Sequence, residues 1–150
     1  MAGVQALIVT VEGNPFMDDR DNYRIILDWT SAAAGTVSLA IASTFAAAQL
    51  AIGYALPQPS KIQGYLKSVE TIPGLLGAPA TDPPTASYDI TLLDPYSYDV
   101  AGGDLADRSA TAAEKIVPTS DIRLDSEITL TIAAAGDDKH GRIIMEMGMG

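Results

Sequence analysis

The sequence predicts an all-β fold: an antiparallel β-sandwich or distorted barrel with one short alanine-rich helix, organised as a single domain over residues 1–150. Three observations predict it. Several short runs alternate apolar and polar residues with the period of two that half-buried strands show. Glycine, proline and aspartate punctuate the chain between those runs, as turns require. The one long apolar stretch without alternation is rich in alanine, which favours helix.

The pattern is clearest in Tyr88–Gly103. Tyr88, Ile90 and Leu92 share one side of a strand, and Asp89, Thr91 and Leu93 the other. Asp94-Pro95 then turns the chain, since proline fixes φ and cannot donate to a ladder. Tyr98, Val100 and the flexible pair Gly102-Gly103 follow.

Taken from the start, Val4–Glu12 reads as a first strand, with β-branched Val9, Thr10 and Val11. Gly13-Asn14-Pro15 ends it, and Met17–Asn22 is a polar loop. Tyr23–Thr30 places Tyr23, Ile25, Leu27 and Trp29 on one face, which predicts a core position for the single tryptophan. Ser31–Gly35 makes a turn and Thr36–Ala42 a further strand, the two strands pairing as a hairpin. Ser43–Leu56 is the alanine-rich helix, capped by Ser43 or Thr44 and ended by Pro57-Gln58-Pro59. No charge occurs between Asp28 and Lys61, but Gly35, Gln49, Gly53 and several hydroxyls, and the lack of flanking basic residues, argue against a membrane span.

Ser60–Thr71 is a strand in which Ile62, Leu66 and Val69 depart from strict alternation, so Gly64 marks a bulge. Pro73–Pro84 holds four prolines and two glycines in twelve residues and reads as an irregular crossing between sheets. Asp104–Ala113 is a small, polar loop, with Ser109 capping a helical turn that reaches Lys115. Ile122–Ala133 is one strand, Ala134–Gly141 a loop, and Arg142–Met147 the returning strand of a hairpin. The Met145–Met149 tail alternates like a strand end; its methionines suit the core or another subunit equally.

Composition excludes several functions. Nine basic against nineteen acidic residues give a net charge of −10, with no cluster of lysine and arginine for phosphate. Neither a nucleic acid nor an anionic membrane is expected as partner. With no cysteine there is no disulfide or thiolate metal site. Met1–Gln5 has no basic residue and is not a signal peptide, which implies cytoplasmic synthesis. Much of the 47% hydrophobic share is alanine, predicting a thin core.

No constellation predicts catalysis. His140, the single histidine, falls in a loop beside Asp137, Asp138 and Lys139 without any nucleophile motif. Asp94, Asp99, Asp104 and Asp107 match no calcium loop, nor do Asp18, Asp19 and Asp21; turn-forming carboxylates account for both groups. Gly102-Gly103 lacks the lysine of a phosphate cradle. No catalytic, cofactor-binding or metal-binding residue is assigned, and no cofactor is expected.

An ordered set of segments goes further. It runs Asp28-Trp29-Thr30-Ser31, Gly35-Thr36-Val37-Ser38, Ile62–Gly74, Pro84–Leu92, Asp99–Gly103, Leu105–Arg108 and Thr111–Glu114. Together, over roughly residues 24–147, these resemble a family of small virion structural proteins of tailed bacteriophages. Ser43–Lys61 looks like an insertion relative to that pattern. The resemblance implies a non-enzymatic particle component. Most simply it is a capsid decoration (cement) protein on the head exterior, made in the host bacterial cytoplasm, with the major capsid protein as partner. A tail or neck subunit (adaptor, tube or fibre-associated) is the alternative. The residues alone also leave open a small calcium- or carbohydrate-binding module. A homo-oligomer is expected from the alanine-rich composition and the apolar segments Ser43–Leu56 and Met145–Met149; the decoration reading favours a trimer, which suits the three-fold positions of an icosahedral shell.

Overall fold

The structure, a computed structural model, describes residues 4–12, 22–41, 45–48, 61–79, 81–118 and 122–148. These residues form nine strands. They are β1 (Ala6–Glu12), β2 (Asn22–Thr30), β3 (Val37–Ala40), β4 (Ile62–Pro73), β5 (Asp89–Leu93), β6 (Glu114–Ile116), β7 (Ile122–Ser126), β8 (Thr129–Ala133) and β9 (His140–Gly148). A six-stranded sheet runs β1-β2-β9-β4, with β6 and β7 sharing the far side of β4; a three-stranded sheet runs β3-β8-β5. Every pairing is antiparallel. The curled sheets form a half-barrel, and the predicted all-β class holds. Phe45–Ala48 is helical; the rest of Ser43–Leu56, including both predicted caps, lies outside the described residues, as do Gly13–Asp21.

Between the sheets lies one continuous core. The predicted face of β2 supplies Tyr23, Ile25, Leu27 and Trp29, and that of the fifth strand Tyr88, Ile90 and Leu92. Trp29 is 1% exposed, and its ring meets Tyr88 at 5.5 Å between centroids, tilted by 53°. This edge-tilted geometry is favourable for aromatic pairs. Large aliphatics from β4, β7, β8 and β9 are part of the core, whose only alanines among the described residues are Ala101 and Ala135. Among the described residues, and contrary to the expectation from composition, the core is therefore built mainly of large side chains and not filled by alanine. Met145 and Met147 are buried in the same core, which decides the methionine question for these two and removes them as an intersubunit surface.

Pairing differs from the sequence reading in three places. β2 and β3 are no hairpin: β2 lies between β1 and β9, while β3 pairs β8 in the other sheet. The turn between them docks instead on the loop before β9. Ser31 Oγ donates to Gly136 O at 2.5 Å and accepts from Lys139 N at 2.9 Å. Gly35 has φ +74, and a Cβ there would lie 2.6 Å from Gly136 N. Ile122–Ala133 is two strands, because the chain changes sheet at Glu127-Ile128. Consequently β8 and β9 are not a hairpin either. The bulge on β4 falls between Leu66 and Ser68, three residues beyond the glycine expected to cause it. Pro73–Pro84 does cross between sheets, through a single 3-10 turn at Leu75–Gly77.

Candidate functional site

Beyond β5 the chain builds a braced turn. The Asp94 carboxylate accepts from Tyr96 N at 2.9 Å and Tyr98 N at 3.0 Å, so it satisfies two backbone donors that the turn leaves unpaired. Asp94 N donates to Tyr98 O and Ser97 N to Asp94 O, both at 3.0 Å. Asp99 ties the other shoulder: Oδ1 accepts from Leu92 N at 3.2 Å and Ala101 N at 3.1 Å, and Oδ2 from Gly103 N at 2.9 Å. Gly102 and Gly103 follow at φ +62 and +88 with open space around them, the conformation that glycine adopts at no steric cost. The two tyrosines between these aspartates point outward. Tyr96 is 91% and Tyr98 66% exposed.

Beside the turn lies a cleft of about 590 Å³. Asp94, Pro95, Tyr96 and Val100 form one wall, and Lys61 with the β7 segment Arg123–Glu127 forms the other. The Arg123 guanidinium also lies 5.9 Å from the centre of the Tyr65 ring, within reach of a cation–π attraction. Two cations thus face three carboxylates.

The other sequence candidates are used by the scaffold. Asp94 and Asp99 spend carboxylate oxygens on backbone N–H groups. Asp107 lies elsewhere, its N–H donating to Asp89 Oδ1 at 2.9 Å. Among the described residues no group of three or more histidine or acidic side chains is placed to hold a metal ion. Asp18, Asp19 and Asp21 lie outside those residues. His140 is not a loop residue: it opens β9 opposite Thr30, with Nδ1 3.0 Å from Thr30 Oγ1. Its N–H donates to Asp82 O and its carbonyl accepts from Gly74 N, both at 2.9 Å. Ser109 Oγ does accept from Thr111 N and Ala112 N, but the segment continues into strand β6 rather than a helix. Among the described residues no helix is long and apolar enough to cross a membrane.

Charge is organised on the outer face of the six-stranded sheet. Arg142 grips Asp28 with two nitrogens at 2.8 and 3.1 Å, and this hydrogen-bonded pair raises the arginine pKa further despite partial burial. Arg24 is flanked by Glu12 and Glu146 on the neighbouring strands. Burial pushes the Tyr88 hydroxyl up from 10.0 to about 12; Thr71 lies near enough to oppose this slightly, yet neither hydroxyl reaches hydrogen-bond geometry. A raised tyrosine pKa gives stability that is intact below pH 10 and lost as pH climbs to about 12. Tyr88→Phe should therefore cost little at neutral pH and shift the alkaline unfolding midpoint upward, measured by circular dichroism.

No protein-family model, curated protein or solved structure matches the chain.

Proposed function

We propose that the chain is a structural subunit of a tailed-bacteriophage virion, a decoration protein that binds the outside of the head and stabilises the shell. The observation that carries this reading is where the virion-like segments fall. Segments distant in sequence interlock as one unit. Trp29 packs on Tyr88; Tyr88 and Arg108 exchange backbone hydrogen bonds at 3.2 and 2.7 Å; Ile90 N donates to Leu105 O at 3.1 Å. Gly74 belongs to the same set, at φ +99, where a Cβ would lie 1.9 Å from Ala78 O. A resemblance scattered along the chain carries more weight when its pieces build one scaffold than when they lie apart. The acidic net charge keeps free subunits soluble until they meet the shell.

The subunit acts as a closed homo-oligomer, most simply a trimer, which suits three-fold positions on an icosahedral shell. Strand β1, an edge among the described residues, offers the contact, with Ile8 60% exposed on it and Val4 79% exposed just before it. Sedimentation should give a species of three times the monomer mass. Heads lacking the chain should release DNA at a lower temperature than complete heads, and adding the purified protein should restore the difference. A monomer that leaves DNA release unchanged would defeat the decoration reading.

A further inference from the structure

The geometry points to a glycan-binding site in the cleft between the Asp94–Asp99 turn and β7, one that takes neutral oligosaccharides of hexopyranose units. Tyr96 is the platform. At 91% exposure its ring contributes almost nothing to folding, yet two backbone hydrogen bonds to Asp94 fix the turn that carries it. With the backbone of the turn already ordered, covering the ring freezes only the few rotors of the tyrosine side chain. The negative face of an aromatic ring attracts the polarised C–H face of a pyranose.

The cleft walls supply the rest. A sugar presents hydroxyls that donate and accept together, so it needs both kinds of partner. Lys61 and Arg123 donate, while Asp125 and Glu127 accept, and Ser126 does either. Planar guanidinium and carboxylate groups match the spacing of adjacent hydroxyls. Val100 and Pro95 give an apolar patch for the sugar's C–H face. The volume of about 590 Å³ is that of a small-molecule cleft, for which about 300–1,000 Å³ is usual. Three carboxylates against two cations disfavour a phosphate or other polyanion, as does the net charge of −10. An anchor pocket for a protein partner has an apolar, charge-depleted centre, which this cleft lacks.

The inference does not depend on the virion reading. The test titrates ¹⁵N-labelled protein with maltohexaose, cellohexaose and chitohexaose, each to about 10 mM, a range that detects millimolar affinity. Polyphosphate serves as the anionic probe. At least one hexasaccharide should shift the amides of Tyr96, Tyr98 and Arg123–Glu127 and leave those of β2 and β9 unmoved. Tyr96→Ala should weaken that binding at least about tenfold, and Tyr96→Phe should retain it, since the ring face and not the hydroxyl makes the contact. Unchanged dispersion elsewhere in the spectrum verifies that the variants fold. Failure of all three sugars, preference for polyphosphate, or unimpaired binding by Tyr96→Ala would overturn the proposal. If the sugars fail while Tyr96→Ala abolishes attachment to phage heads, the turn docks on protein: the glycan inference falls and the virion reading stands.

Discussion

Trp29→Ala should destabilise the protein by about 3–5 kcal/mol, the usual cost of deleting a large buried aromatic. Trp29 is among the largest fully buried side chains of the described core and stands between the two sheets, against Tyr88 from the opposite side. Its removal leaves a cavity in the core that the surrounding side chains fill only in part. The indole Nε1 has no hydrogen-bond partner, so nothing polar is forfeited with the ring. Trp29→Phe keeps most of the apolar volume and should cost well under half as much. Urea unfolding of the two variants checks both figures; equal losses would mean that the ring's volume is not what the site requires.

Gly141→Ala should be the second large effect, at about 3 kcal/mol, the upper end of the usual range for overpacking. Gly141 lies in β9 opposite Trp29 on one side and Pro73 on the other. The indole covers it so closely that a Cβ would lie 2.3 and 2.5 Å from ring carbons. Either the ring leaves its place against Tyr88 or the central strand moves. Because one clash causes the loss, it should vanish when the ring is gone. In a Trp29→Ala background the added methyl should be nearly neutral, a coupling of about 2–3 kcal/mol in a double-mutant cycle. Additive losses would show that Gly141 is needed for its backbone and not for its closeness to Trp29.

Faces were legible in the sequence, and partners were not. Tyr23–Trp29 and Tyr88–Leu92 alternate because each strand has one side in the core, and both buried sets follow from that alternation. Alternation says nothing about which edge pairs with which, so the neighbouring strands β2 and β3 looked like a hairpin although they belong to different sheets. The sheet switch at Glu127-Ile128 was invisible for a related reason. Leu124, Ile128, Leu130 and Ile132 are all buried and all of one parity, so the period of two passes through the switch unbroken. On β4 the reverse holds: buried Ile62 and Leu66 give way to Val69 and Thr71, and this change of parity is the bulge itself. Gly64 drew attention because glycine often marks bulges, but the parity change was the better signal.

The candidate site was only half legible. Asp94-Pro95 was readable as a turn, but two tyrosines bracketed by aspartates carry no catalytic signature, and the opposite wall comes from β7, about thirty residues later. Only the fold brings Arg123 and Asp125 beside Tyr96. The same separation explains why His140 read as a loop residue: its partner Thr30 lies 110 positions away.

If the chain is, as proposed, a repeated part of a phage head, its copy number in purified particles must match the number of shell positions. Quantitative mass spectrometry of intact virions should find the chain in hundreds of copies, in a fixed ratio to the major capsid protein, as decoration of every equivalent shell position requires. A copy number near a dozen would contradict decoration and place the chain in the neck or tail, and its absence from washed particles would contradict the virion reading altogether.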